Sequence, residues 1–161
     1  MRFAEIAAGQ VIKAGPETIT EQQILEFARE FDPQWFHTDP ARAAASTWNG
    51  LIASGWQTCA IAMRLVVAAA LSGSESFGSP GLAYLKWESP VRPGDELGLV
   101  MDVLDKRVAT KRPTLGIVRW RWRLFNQHGE QVLDLEATSL FDLAASAADD
   151  ATDAISSASA L

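Results

Sequence analysis

Cysteine is almost absent: Cys59 is the only one in 161 residues, so no intrachain disulfide can form and no cysteine cluster can hold a metal. That usage fits a reducing compartment, and the expected location is cytoplasmic. Positive charge is also scarce, with 14 Lys and Arg against 20 Asp and Glu and a net charge of -6. Phosphate backbones and anionic membrane surfaces call for a surplus of cations, so neither nucleic acid nor a membrane is expected as a partner. Long apolar runs are missing too. The longest, Cys59 to Leu71, is interrupted by Arg64 and falls well short of the ~20 residues that cross a bilayer. Met1 to Gly15 mixes acids and bases with short apolar pairs, unlike a secretory signal. Two histidines far apart, with no tight carboxylate cluster, make a poor metal-ligand set, so no metal is expected. A nucleotide-binding glycine loop is lacking as well.

What is present is 48% hydrophobic residues, enough for a single domain expected over 1–143. From residue 144 the chain turns to Ala, Ser and Asp, with too little apolar surface to offset the entropy of ordering, and a C-terminal tail is expected over 144–161. Thr20 and Gln23 stand at capping-box spacing, and Ile24, Phe27, Ala28 and Phe31 recur at helical intervals, predicting a helix from Thr20 to Phe31. Asp32 precedes Pro33 and so marks the helix exit. Asp39 and Pro40 read as N-cap and first position of a short helix through Ala45. Ser54 and Gln57 repeat the capping-box spacing before a run to Leu71 that is apolar nearly all round, the pattern of a helix wrapped by other structure.

The second half changes period from 3.6 to 2. Strands are expected at Val11 to Ile19, Leu82 to Glu88, Glu96 to Asp105, Leu115 to Phe125 and Glu130 to Phe141. This order implies the α+β class, a long antiparallel sheet around a buried helix. Folding the last two strands about Gln127 and His128 sets Trp122 near Leu133, Arg121 near Asp134 and Arg119 near Glu136. One face is then apolar and the other charge-paired, so the three arginines read as a solvated face rather than a phosphate site. His128 reads as an exposed turn residue.

His37 stands apart. It lies five residues after Asp32 on the irregular segment Asp32-Pro33-Gln34-Trp35-Phe36-His37, between rings that exclude water. A carboxylate and an imidazole held close in a partly dry pocket can orient a water and share its protons. The spacing also suits a helix cap and a structurally satisfied histidine.

Phe31-Asp32-Pro33-Gln34-Trp35-Phe36-His37-Thr38-Asp39-Pro40, followed by Gly50-Leu51-Ile52-Ala53-Ser54-Gly55-Trp56, resembles the hydratase motif of the MaoC-like dehydratases, or R-specific enoyl-CoA hydratases. The resemblance extends to Pro90-Val91-Arg92-Pro93-Gly94-Asp95 and Lys111-Arg112-Pro113, over about residues 5 to 142. It implies the hotdog fold, a curved antiparallel sheet wrapped around one long helix, and a homodimer or assembly of dimers. By the same resemblance Asp32 and His37 match the catalytic pair, and Gly55 matches the glycine whose N–H polarises the thioester carbonyl. The implied reaction is syn hydration of a trans-2-enoyl-CoA to an R-3-hydroxyacyl-CoA, or its reverse, within fatty acid metabolism. Coenzyme A enters as part of the substrate, with no separate cofactor.

Substrate contacts are expected from Trp35, Phe36, Ser54 and Trp56, with Arg92, Lys111 and Arg112 for the CoA phosphates and Lys86 and Arg64 as alternatives. Aromatic residues of the set Trp35, Phe36, Trp48 and Trp56 that line the acyl pocket would shorten it, favouring a short, branched or unusual acyl group; at least two of the four are expected in the core. Gln34 and Trp35 replace the family's Asn and Pro, and Ala60 stands where many members carry a serine that supports the pair. Alternative readings are a hotdog thioesterase and a catalytically silent acyl-CoA binding subunit.

Overall fold

The computed structural model describes residues 1–144; the expected tail lies, Ala144 apart, outside the described residues. Strand β1 (Val11–Thr18) leads into helix α1 (Glu21–Phe31), two short helices α2 (Trp35–Thr38) and α3 (Pro40–Ala44), and the central helix α4 (Gly55–Val66). The strands β2 (Ser76–Lys86), β3 (Glu96–Ala109), β4 (Arg112–Phe125) and β5 (Gln131–Asp142) follow. All pairings are antiparallel, and the sheet order is β1-β3-β4-β5-β2. This curved five-stranded sheet around α4 is the hotdog fold, in the α+β class.

Each helix begins where its cap dictates. Thr20 Oγ1 accepts from Gln23 N at 3.2 Å while Gln23 Oε1 accepts from Thr20 N at 2.8 Å, a reciprocal pair that satisfies two amides the helix leaves open. Asp39 Oδ1 accepts from Arg42 N at 3.0 Å and starts α3 on Pro40. Ser54 caps α4 differently from the expected box: its Oγ accepts from Trp56 N, and Gln57 instead donates from Nε2 to Gln23 O at 2.8 Å, tying α4 to α1. A π-helical turn, Val67–Leu71, carries the helix to Ser72.

Alternation along the central strands supplies the core. Leu97, Leu99, Met101 and Val103 of β3, Val118, Trp120 and Leu124 of β4, and Leu133 and Leu135 of β5 meet Ile61, Ala62, Leu65 and Val66 of α4. Trp120 is fully buried, and its Nε1 donates to Ser139 Oγ at 3.1 Å, which meets the polar need of a sequestered indole. The central helix is not wrapped all round, however. Trp56, Met63 and Val67 form a stripe that remains 60%, 41% and 39% exposed.

Two further expectations change. Strand β2 begins at Ser76, six residues before Leu82, through the Gly- and Pro-rich stretch Gly78 to Gly81, held by irregular pairing to β5. The β4–β5 register is displaced by two residues: Trp122 faces Leu135 and Arg123 faces Asp134. The cause is the turn. Asn126 Oδ1 accepts from the N–H groups of His128 and Glu130, at 3.0 Å each, and Gly129 takes φ 77, so the loop is longer than the two residues expected. The arginines still reach the same acids diagonally, Arg121 to Asp134 and Arg119 to Glu136. Asp134 is buried and also accepts from Tyr84 Oη, so that face is less solvated than expected.

Thr20→Ala should lower the unfolding free energy by about 1 kcal/mol in urea denaturation, the usual scale for an N-cap deletion. No change would mean that α1 is held by packing alone.

Candidate active site

Four segments converge to build the site. Helix α1 ends at Asp32, whose N–H still donates to Ala28 O at 2.9 Å while its backbone (φ -151, ψ 68) leaves the helical region before Pro33. One turn of α2 then lifts His37 inward, 5% exposed. Asn49 (φ 52) and Gly50 (φ 138) reverse the chain. The segment they launch is pinned by Ile52 N to Phe36 O at 3.3 Å and Ala53 N to Val91 O at 2.8 Å, which delivers Ser54 and Gly55 beside Asp32.

The Asp32 carboxylate is the hub. Oδ2 accepts from Ser54 Oγ at 2.7 Å and lies 3.4 Å from His37 Nε2, and Oδ1 accepts from Gln34 Nε2 at 2.7 Å. On the other side of the ring, His37 Nδ1 meets Ile52 O at 2.8 Å. A carbonyl can only accept, so Nδ1 carries the hydrogen and Nε2 presents its lone pair toward Asp32 in the neutral ring. Burial pushes the Asp32 carboxyl up, but the Ser54 and Gln34 hydrogen bonds, joined by Coulombic attraction to His37 when its ring is protonated, outweigh it and hold the group below the usual carboxylate range.

These groups open into a cavity of about 440 Å³ lined by Asp32, Gln34, His37, Gly55 and Thr58, with Phe36, Trp48, Trp56 and Trp87 as aromatic walls. Gly55 is in the first turn of α4, where amides have no intrahelical acceptor and the dipole favours negative charge. Its lack of a side chain is required: a Cβ would lie 2.4 Å from the Trp87 ring. An ionised acid, an imidazole lone pair and an amide donor around a small, half-dry cavity can hold a water and stabilise a developing oxyanion. Burial raises the Cys59 thiol, partly offset by a hydrogen bond from Trp87, so this residue offers no thiolate nucleophile.

The other candidates are placed as follows. Phe36 and Trp56 line the cavity, and so does Trp48, giving three of the four aromatic residues to the site rather than the core. Trp35 packs instead under Arg42, whose guanidinium lies 4.4 Å from the ring centroid. Ser54 is fully buried and acts on Asp32 rather than lining the cavity. Arg92 does not line the cavity; its Nη2 donates to the carbonyl of Trp48, which does, at 2.8 Å.

Lys111 and Arg112 lie at the far end of β4 from the residues that pair near Val132, roughly 40 Å of strand at about 3.3 Å per residue, so this chain does not bring them to its own cavity. Of the alternatives, Arg64 pairs with Glu17 and Lys86 Nζ lies 5.8 Å from the Tyr84 ring centroid. Ala60 lines a separate groove between α1 and α4, so a serine there would not meet Asp32; Ser54 and Gln34 support the carboxylate instead. Trp87 escaped the sequence reading, because only the fold brings the segment just after β2 against Gly55 at the start of α4. Among the described residues no helix is long and apolar enough to cross a membrane.

The MaoC like domain model matches residues 3–119. YdeM of Bacillus subtilis strain 168, an uncharacterized protein, is 35% identical over 140 residues, covering 87% of this chain and 98% of its own. The MaoC-like dehydratase from Rhodospirillum rubrum shares 37% identity at a TM-score of 0.80, over 86% of this chain and 94% of that one. R-hydratase PhaJ1 from Pseudomonas aeruginosa shares 27% at 0.68, over 87% and 84%.

Because the Asp32 pKa is depressed, its stabilisation is present above the unfolded carboxylate pKa and is lost as pH falls through the folded value. Ser54→Ala removes one of the bonds to the ionised form. Carbon-13 NMR of Asp32 should show it titrating at higher pH in the variant, and an unchanged titration would remove Ser54 from this role.

Proposed function

The chain belongs to the MaoC-like dehydratase family, and on that footing we propose that it is a hydro-lyase acting on acyl thioesters, hydrating a trans-2-enoyl-CoA to an R-3-hydroxyacyl-CoA and reversing the step. The observation that carries this reading is the Asp32–His37 pair, 3.4 Å apart, beside the Gly55 amide in one aromatic-walled cavity. Similarity to an R-hydratase across most of both chains supports the reaction type.

In this mechanism the thioester carbonyl accepts a hydrogen bond from Gly55 N–H, which drains charge from C3 and stabilises the enolate that forms. Asp32, kept ionised, orients a water at its Oδ2. With Nδ1 held on the Ile52 carbonyl, the His37 Nε2 lone pair faces the site and takes the water proton as the oxygen bonds to C3. The proton then passes to C2 on the same face, the C2–C3 double bond is consumed, and His37 returns to neutral. Asp32 also balances the transient imidazolium. No further cofactor is needed, since coenzyme A is part of the substrate. Arg92, bonded to the Trp48 carbonyl beside the cavity, would meet its phosphates.

The unit of function is a homodimer or an assembly of dimers. Its support is the uncovered stripe of Trp56, Met63 and Val67, flanked by exposed Phe77 and Leu82 on β2. Among the described residues no strand pairs with the outer edge of β2, which is open to a second copy. Light scattering should give a dimer mass or a multiple of it, and Leu82→Asp should shift it toward the monomer; a monomeric wild type refutes the assembly.

Hydration of crotonyl-CoA, followed as loss of enoyl absorbance with chiral analysis of the product, tests the reaction. The wild type should form the R-3-hydroxy product. His37→Ala and Asp32→Ala should each lose at least ~10²-fold in rate while remaining folded by circular dichroism. Full activity in both variants overturns the residue assignment, and release of free CoA in place of hydration points to a thioesterase.

A further inference from the structure

The catalytic cavity carries charge of one sign. Two of the side chains that line it, Asp32 and Glu88, are carboxylates, and among the described residues no lysine or arginine lines it with them. Arg92, four residues beyond Glu88, gives Nη2 to the Trp48 carbonyl and does not line the cavity.

The two acids are used differently. Both oxygens of Asp32 accept hydrogen bonds, from Ser54 and Gln34, and His37 stands beside them. The exposed Glu88 side chain has no hydrogen-bond or ionic partner among the described residues. Glu17, Asp102, Asp134 and Glu136, by contrast, each face an arginine. The backbone that carries Glu88 is tied at two points: Glu88 N donates to Val132 O of β5 at 3.3 Å, and Val91 O accepts from Ala53 N at 2.8 Å. The charge therefore stands on an anchored stretch of main chain. Phe36, Trp48 and Trp87 wall the same cavity, and next to such surface two unit charges interact about four-fold more strongly than in bulk water. An acyl group that brought its own negative charge here would meet two anions and no cation, whereas an uncharged one would meet the aromatic walls.

From this charge pattern we infer that Glu88 sets the substrate class of the site: it admits thioesters of uncharged acyl groups and rejects those whose acyl chain ends in a carboxylate, the half-thioesters of dicarboxylic acids. The identity of the ligand rests on the thioester reading above, to which the charge filter is an addition. The phosphates of coenzyme A are common to both kinds of substrate and cancel in the comparison.

The test sets the full-length wild type beside Glu88→Gln, which removes the charge at nearly constant size, and Glu88→Lys, which reverses it; circular dichroism checks that both variants are folded. Calorimetry gives the affinities for hexanoyl-CoA and glutaryl-CoA, neither of which can be hydrated. Loss of enoyl absorbance gives the rates on trans-2-hexenoyl-CoA and glutaconyl-CoA. The wild type should favour the uncharged ligand of each pair by at least ~10-fold, the scale of an unfavourable charge contact near a protein surface. Glu88→Gln should raise the charged-to-uncharged ratio by at least ~5-fold, since Asp32 remains, and Glu88→Lys should raise it further. A wild type that binds glutaryl-CoA as well as hexanoyl-CoA, as it would with a cation supplied by a second copy, overturns the inference. So does a ratio unchanged in Glu88→Gln, including an equal gain in affinity for both ligands, which would put Glu88 beside the CoA phosphates instead. A shifted affinity ratio in a protein that hydrates neither enoyl thioester keeps the filter and overturns the hydratase reading. Binding of neither hexanoyl-CoA nor glutaryl-CoA by any of the three proteins overturns both.

Discussion

One carboxylate joins the two halves of the site. Asp32 terminates α1, and its Oδ2 is gripped at 2.7 Å by Ser54 Oγ, the residue that opens α4. The same Ser54 oxygen accepts the Trp56 amide of that helix. A single three-centre junction therefore fixes the end of one helix against the start of another, across a separation of 22 positions that includes the short helices α2 and α3. His37, Gly55 and the aromatic walls all take their positions from it. Its charge is the energetic crux: ionised and hydrogen-bonded it holds the junction, and protonated it gives up part of that grip.

Much of this was readable in the chain because the signals are local. Pro33 forces the chain out of helix after Asp32, Thr20 and Gln23 sit at capping distance, and Asp39-Pro40 opens the next turn. The strands from Glu96 onward alternate cleanly, so the sheet and its buried face follow from period alone. The pairing of Asp32 with His37 was legible as a spacing, and the family motif added Gly55.

What stayed hidden depends on contacts distant in sequence or on deceptive composition. The start of β2 is Ser, Gly and Pro, which reads as loop; only pairing with β5 makes it a strand. The β4–β5 register turned on an asparagine side chain folding its own loop, which no alternation pattern reports. The uncovered stripe of α4 looks like core in sequence, since apolar residues left on the surface and those in the interior are of the same types. Trp87 lies 32 positions from Gly55, and Lys111 and Arg112 follow a familiar motif to the opposite end of the sheet.

The bond from His37 Nδ1 to the Ile52 carbonyl has a consequence of its own. The partner is main chain, so no substitution at position 52 deletes it, and turning the ring over would leave a buried carbonyl bare. The imidazole is thus a one-armed carrier: every proton it accepts or gives up passes through Nε2, on the side facing Asp32. Handedness in whatever chemistry occurs there is set by the backbone itself, while the side chains around it remain free to change what is bound.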